Sequence, residues 1–497
     1  MMTEEHNETG TLLARECRVL IIEDDNSVRR ILSDTLRKHD YIVSAADSGK
    51  AALSSVSENP PDIILCDYKL PQMSGEEICK QLKGSPETAK IFFMAITGHG
   101  SPEVEERLFE AGIDEFLPKP ISPHTLLLRM RVARRSVYRS RRRELSRRNI
   151  LGQMDVLLLQ DGGCAPGYNP VTAFLTYDFE RFGRKVFCAR EGFISLTSGT
   201  DSDYYRLIYN QDEYRKLEST SGVFNAVFLT NASGAQFRSE RFRDFIEPQV
   251  KEQAAKNIVD RKVRTIVAIG GNGTFLGIRE LAKILPEDIQ VAFVPVTIDS
   301  DISGSECLGQ HTAVEMGAEK IKCYMADARA HKRVYVIEMM GARGGFHALF
   351  SCLGARAHQV ILPGMEPDFT TIMESLNHHD HAVIVVAEGY GQEDPIRKEQ
   401  SLNAAELFVK QLQDTGITSN KRIISEPFSR DIRGAFPNNT DIALAQRLSA
   451  GTVKAIQDGE SRFMFAVNAE NETVLPFEEI STDNTVSREL AALANRL

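Results

Sequence analysis

TIVAIGGNGTFLG, residues 265–277, decides the fold of most of this chain. An apolar, β-branched run with the length of a fully buried parallel strand is followed at once by glycines and a threonine, and the pattern then reads as helix. A glycine-rich turn between a strand and a helix lets backbone N–H groups approach a phosphate, and the helix N-terminus adds favourable potential. The same arrangement stands upstream in DVLLLQDGGCAPGYN (155–169). Downstream, VAFVPV (291–296) leads into the acidic turn TIDSD (297–301), and the strand-and-helix rhythm continues through VYVIEMM (334–340) and AVIVVAEG (382–389). One glycine pair after a strand is weak evidence, but two such turns joined to a pair of acids form a candidate site for phosphate chemistry.

Toward the N-terminus the rhythm recurs as a separate set. The runs VLII (19–22), IILC (63–66) and IFFMAI (91–96) read as buried parallel strands, with amphipathic helices at 28–36 and 76–82 between them. Such alternation predicts a doubly wound sheet whose ligands bind at the carboxyl ends of its strands. Glu23, Asp24, Asp25, Asp67 and Thr97 fall at those ends. After Pro123 there is no glycine or proline as far as Leu151, and Leu126, Met130, Ala133 and Val137 form an apolar stripe. This predicts a last helix that continues outward as a connector.

At 497 residues the chain is too long for one core. The expected organisation is a disordered tail over 1–17, a first domain over 18–122, an arginine-rich helical connector over 123–152 and a second domain over 153–497. No apolar run reaches bilayer length, and the acidic start MMTEEHNETG lacks a cationic region before an apolar stretch, so a cytoplasmic protein without membrane contact is expected. The eight cysteines show neither a CxxC pair nor metal-ligand spacing and read as small buried hydrophobes. Ten arginines and one acid, Glu144, lie between Arg129 and Arg148, so the rest of the chain is more acidic than its net charge of -10 suggests. That run has no recognition motif, and it reads as a solvated helix or a dimer contact rather than a nucleic-acid surface. His378, His379 and His381 read as an exposed turn, because no further partner is spaced to complete a metal site. Ser74 and Ser305 read as turn residues.

A phosphoryl group on a carboxylate needs a nucleophilic Asp, hard oxygen ligands for Mg2+ and donors for the product oxygens. In this respect the N-terminal region resembles the response-regulator receiver domain. The resemblance implies that Glu23, Asp24 and Asp67 hold Mg2+ and that Asp67, in DYKLPQMSG, is phosphorylated by a partner sensor histidine kinase. It further implies that Thr97, Phe116 and Lys119 form the switch, with a cis Lys119–Pro120 bond in FLPKP.

From about residue 154 the chain resembles the phosphofructokinase family, including the closing FMFAV and LPFEEI segments. The overall expectation is therefore α/β: a flavodoxin-like (βα)5 receiver, a helical connector and a two-lobed α/β phosphofructokinase-like domain. The resemblance implies a homo-oligomeric glycolytic kinase that moves phosphate from ATP to fructose 6-phosphate. Gly162, Gly163, Arg238, Gly271, Asn272, Gly273 and Thr274 would bind the nucleotide, and Asp299 would be the base, beside Thr297 and Asp301. Arg333, Met340, Gly341, Glu388 and Arg433 match positions that grip the sugar phosphate, some arginines coming from a neighbouring subunit. Gly273 and Val296 stand where pyrophosphate-using members carry Asp and Lys, which points to ATP.

Three positions depart from the family. Asn272 replaces a magnesium-linked Asp, Ala342 replaces an arginine that stabilises the transferring phosphate, with Arg343 one place late, and Ile442 replaces a sugar-phosphate arginine. Losing one charge stabiliser of this kind costs about 2–4 kcal/mol. Two readings therefore stand: a phosphorylation-gated sugar-phosphate kinase, and a catalytically impaired domain that binds nucleotide or sugar phosphate and reports to a partner. The GGNGT turn alone is shared with nicotinamide-dinucleotide and lipid kinases, but those lack the PGYN and TIDSD turns.

Overall fold

The computed structural model describes residues 17–85, 87–98, 110–151, 153–239, 242–427 and 430–492, with the backbone alone at 138–151, 488 and 491. The tail expected over 1–17 lies outside these residues except for Cys17, which opens the first strand. The chain divides into two compact units, Met1–Arg147 and Arg148–Leu497, with the boundary inside one long helix.

The first unit is a parallel sheet of β1 (Cys17–Ile22), β2 (Tyr41–Ala46), β3 (Ile63–Asp67), β4 (Phe92–Thr97) and β5 (Glu115–Pro118) in the order β2-β1-β3-β4-β5. Both faces are covered, which is why the inner strands are continuous apolar runs rather than alternating ones. On one face Val19, Ile21, Leu65 and Met94 pack with Leu32 and Leu36 of the helix Asn26–Arg37 and with Leu126, Met130, Ala133 and Val137 of the helix Pro123–Leu151. On the other, Leu20, Ile64 and Phe93 pack with the helices Gly49–Glu58 and Gly75–Lys83. The predicted stripe of the long helix is thus part of the receiver-like core. Helix starts are locally specified: the Asp25 carboxylate accepts from the amides of Ser27 and Val28, and Ser74 forms a reciprocal cap with Glu77.

The second unit holds two sheets. The larger contains β6 (Val156–Asp161), β7 (Val186–Ala189), β8 (Tyr204–Ile208), β9 (Val223–Asn225), β10 (Thr265–Gly270), β11 (Gln290–Pro295), β16 (Phe463–Asn468) and β17 (Asn471–Pro476), in the order β17-β16-β11-β10-β6-β7-β8-β9. The smaller is parallel throughout and runs β13 (Gln359–Ile361), β14 (Ala382–Ala387), β12 (Val334–Met339), β15 (Ile423–Pro427). One core joins them, from Leu158 and Val267 on one sheet to Ile337 and Val385 on the other, with Ile321 and Leu448 of the helices Gln310–His331 and Asn439–Gln457 between. Buried Asp441 ties these two helices, accepting from the Gly309 amide (3.0 Å), the Thr312 amide (2.8 Å) and the Thr312 hydroxyl.

Met130 is fully buried, whereas Leu128 on the same helix is 54% exposed. Met130→Ala is expected to lower the stability of the first unit by about 2–5 kcal/mol, and Leu128→Ala to stay within about 0.5 kcal/mol. Denaturant unfolding checks both; equal effects would show that the stripe is not packed as described.

Candidate functional site

In the first unit the strand ends converge. Ile22 pairs with Cys66, Asp67 with Ile96, and Thr97 with Pro118, so the residues after β1, β3, β4 and β5 meet at one edge. Carboxylate oxygens of Glu23, Asp24 and Asp67 lie within 4.8 Å of one another, while Asp25, the third acid of the run, is turned away to cap its helix. Lys119 Nζ donates to Asp67 Oδ2 at 2.7 Å and stands 3.6 Å from Glu23 Oε2. The Lys69 amide donates to the other Asp67 oxygen at 3.2 Å. The Lys119–Pro120 bond is cis, Thr97 is buried, and Phe116 is half-buried on β5. Burial, and then the charge of Asp67, raises the pKa of Glu23. Burial works against the charge of Lys119, but the hydrogen bond and charge of Asp67, helped by Glu23, prevail and raise its pKa. Glu23 Oε2 is buried and accepts no hydrogen bond among the described residues, which suits a hard cation at this cluster.

In the second unit the same geometry recurs. Gly270 at the end of β10 pairs with Asp161 on β6 and with Pro295 on β11, so the turns that follow these strands start at one level. The Thr274 hydroxyl fastens two of them together: it donates to the Asp161 carbonyl at 2.8 Å and lies 3.1 Å from Asp161 Oδ2. Glycine is required around it. A Cβ on Gly270 would stand 2.3 Å from the Thr274 hydroxyl and 2.4 Å from the Asp161 carbonyl; Gly162 has φ 98° and a Cβ there would lie 3.0 Å from the same hydroxyl. A Cβ on Gly273 would meet nothing within 4 Å and faces open space.

These turns line a cleft of about 580 Å³. It gathers Gly162, Gly163, Gly271, Asn272, Gly273, Thr274, Thr297, Asp299, Asp301 and Arg433, together with Val296 and Ala342. Glu388 holds the neighbouring turn by accepting from the amides of Gly341 and Ala342, both at 3.2 Å. Behind it, buried His347 contacts the Met340 carbonyl at 2.9 Å and the Ala313 carbonyl at 3.0 Å. Five of the predicted residues do not line the cleft: Met340, Gly341 and Glu388 belong to the turn that leads to Ala342 and its support, and Arg238 and Arg333 are elsewhere. Arg238 does not line the cleft and pairs with Glu191 at 2.7 Å. Arg333 precedes β12 whereas Met340 follows it, which separates them by about 20 Å of strand. Arg343 is exposed and donates to Gln392, leaving uncharged Ala342 at the cleft wall.

Asn272 donates to the Thr482 carbonyl at 3.3 Å, while its Oδ1 and Asp301 Oδ1 are buried and without a hydrogen-bond partner among the described residues. Burial raises the pKa of Asp301, and hydrogen bonding from Asn272 opposes the rise. The Asp299 amide donates to the Thr297 hydroxyl at 3.1 Å.

Several lining residues carried no local sequence signal. Phe193 and Phe245 stack at 4.1 Å and, with Phe242 and Ile246, form an apolar wall; Arg243 and Lys251 bring positive charge. Asp161 did carry one, as the acid before the first glycine pair. Its carboxyl is pushed up to about 6 by burial, against hydrogen bonds from Thr274 and the Phe193 amide. The histidine cluster is corrected in one respect: a further partner exists in space, His358, with ring centroids 5.5 Å from His381 and 6.3 Å from His379. Its Nδ1 accepts the Val383 amide at 3.1 Å, so in the neutral ring Nε2 keeps the proton and offers no lone pair to a metal. Among the described residues, no helix is long and apolar enough to cross a membrane.

Comparison with known proteins matches residues 155–456 to Phosphofructokinase and residues 19–131 to the Response regulator receiver domain. The chain is 27% identical over 349 residues to the ATP-dependent 6-phosphofructokinase 1 of Clostridium perfringens, covering 69% of this chain and 98% of that protein. It is 27% identical over 352 residues to the ATP-dependent 6-phosphofructokinase of Thermotoga neapolitana, covering 69% and 99%. The solved pyrophosphate-dependent phosphofructokinase of Nitrosospira multiformis shares the fold, with a TM-score of 0.55 at 16% identity, over 69% of this chain and 92% of that one.

The packing around the Thr274 hydroxyl makes neighbouring glycines unequal. Gly270→Ala is expected to destabilise the second unit by about 1–3 kcal/mol or more through overpacking, and Gly273→Ala to change stability by less than about 1 kcal/mol, in the stabilising direction. Thermal melts of the two variants check this; a tolerated Gly270→Ala would refute the close contact.

Proposed function

We propose, because the chain belongs to the phosphofructokinase family and carries a response regulator receiver domain ahead of that domain, that it is a response regulator whose output transfers phosphate from ATP to fructose 6-phosphate or a related sugar phosphate. The observation that carries this reading is the convergence of both glycine-rich turns with Asp299, Asp301 and Arg433 on one cleft.

In the receiver, Asp67 accepts the phosphoryl group from a sensor histidine kinase. Lys119 then exchanges its contact with the Asp67 carboxylate for the phosphoryl oxygens, and the Thr97 hydroxyl donates to them, with Phe116 responding on the adjacent strand. Glu23, Asp24 and Asp67 would hold Mg2+, which when bound offsets the charge of the incoming group. The change passes into the helix Pro123–Leu151, which continues from the receiver core.

In the cleft, amides of the two glycine-rich turns hold the phosphates of ATP, the base lies toward Phe193 and Phe245, and Arg433 faces the sugar phosphate. The sugar hydroxyl oxygen attacks the terminal phosphorus as its proton passes to Asp299, and the bond to the bridging oxygen of ADP breaks. Asp301 and the Asn272 amide oxygen are hard ligands carrying one formal charge between them, which fits a cation that arrives on the nucleotide better than one bound beforehand. Arg333, a strand length from Met340, would serve the site of a second copy, so the reading includes a homo-oligomer.

A second reading is favoured by specific observations: Asn272, Ala342 at the cleft wall and Arg343 turned to Gln392 leave the transferring phosphate short of charge stabilisation. The domain would then bind its ligands without turnover and report receiver phosphorylation to a partner.

A coupled assay with ATP, Mg2+ and fructose 6-phosphate separates the readings. Turnover is expected in the wild type and is expected to fall by about 10²–10⁴-fold in Asp299→Ala. Beryllofluoride is expected to change the rate or oligomeric state of the wild type and to leave Asp67→Asn unaffected. Ligand binding without turnover would select the second reading, and absence of both binding and turnover would dismiss each.

A further inference from the structure

The mechanism above leaves one buried ionisable group of the cleft unused. Asp161 is the last residue of β6, immediately precedes Gly162 and Gly163, and lines the same cleft as the turn that would receive a phosphate. It is 4% exposed. Its surroundings are the Thr274 hydroxyl at 3.1 Å, the Phe193 amide at 3.5 Å, and Gly192, where a Cβ would come within 2.5 Å of Oδ1. No lysine or arginine is ion-paired with it among the described residues. Of the charged groups lining the same cleft, Arg433 is bonded to the Cys164 carbonyl, Glu280 pairs with Lys283, and Asp299 and Asp301 add further negative charge, leaving Arg243 and Lys251 as the other cations.

A phosphate settling on the Gly162–Gly163 turn therefore meets a carboxylate whose local compensation, among the described residues, is one hydroxyl and one distant amide. At this burial, repulsion between the two anions is weakly screened. A proton on the carboxyl removes the repulsion and turns the same oxygen into a donor for a phosphate oxygen. The Thr274 hydroxyl can continue to donate to the Asp161 carbonyl in either state, so the turn need not move.

We infer that Asp161 is a specificity-determining residue of the cleft, which admits a phosphate-bearing ligand to the first glycine-rich turn together with a proton. The inference rests on the reading that ATP phosphates occupy these turns. Burial already holds the free carboxyl above the usual range, at about 6, so at neutral pH the proton is taken up on binding rather than present beforehand. The sign follows by linkage. A group whose pKa rises on binding makes affinity fall as pH climbs from its free value toward its bound value, by up to about tenfold per pH unit.

Isothermal titration of the full chain with ATP at constant Mg2+, in two buffers of different ionisation enthalpy at pH 7.5, measures the protons exchanged. Wild-type protein is expected to take up close to one proton per ATP and to bind more weakly at pH 8.5 than at pH 7.5. Asp161→Asn, which keeps an acceptor for Thr274, is expected to take up none, to lose that dependence and to bind more tightly than wild type at pH 8.5. Asp161→Ser serves as the neutral replacement if the Asn variant does not fold. ATP binding with the same proton uptake in wild type and neutral variant would overturn the role of Asp161 alone. No ATP binding by folded wild type would overturn the nucleotide reading itself, and this inference with it.

Discussion

Both sites depend on the same constraint, the register of neighbouring parallel strands. In the second unit, the pairing of Gly270 with both Asp161 and Pro295 brings three strands to an end at one level, and three loops of different sequence become walls of one cleft. A shift of one residue would also exchange the faces of β10, moving Val267 and Ile269 out of one core and Ile266 and Ala268 out of the other. The cores on the two faces thus fix the register, and the register fixes the site. The Thr274 hydroxyl completes the arrangement by bonding the turn after β10 to the end of β6.

The two sites differ in how they manage charge. At the receiver edge three carboxylates face one ammonium, and Lys119 reaches from the end of β5 to the oxygen of Asp67 that the backbone does not hold. That arrangement has an excess of negative oxygen and suits a divalent cation. In the cleft, the lining positions 272 and 342 are neutral: an amide at 272 and a methyl group at 342. The turn bearing Ala342 is not loosely held, since Glu388 takes two of its amides and His347 contacts the preceding carbonyl. Arg343, the next residue, is exposed and donates to Gln392 at 3.2 Å, away from the cleft lining.

What the sequence revealed, and what it did not, follows from the distance over which each feature is encoded. Strand ends and the residues that follow them are local, so Glu23, Asp24, Asp67, Thr97 and the three turns around Gly162, Gly271 and Asp299 could be placed from the strand pattern, whereas Lys119, after a short strand that the pattern did not show, came from the family resemblance. The split use of the acidic run was less visible, because only the helix beginning at Asn26 assigns Asp25 to capping. The aromatic wall of Phe193, Phe242 and Phe245 has no shared motif; it forms because Gly192–Ser198 and the segment around Phe245 pack on the same face of the large sheet. His358 was missed for the same reason, being joined to His381 only through the pairing of β13 with β14. Arg238 and Arg333 pair within the chain with Glu191 and Asp327, contacts that no local pattern announces.

The shape of the cleft and its charge are set by different residues. The cleft is shaped by glycine contacts, strand register and an apolar wall, none of which depends on Asn272 or Ala342. Binding and chemistry are therefore separable here: hydrophobic burial against Phe193 and Phe245 and amide contacts from the turns are available to a ligand before any transition-state charge is met. An arginine worth about 2–4 kcal/mol in the transition state contributes mainly to rate. A cleft that retains its ground-state contacts while lacking such an arginine would hold its ligands with little loss and turn them over slowly.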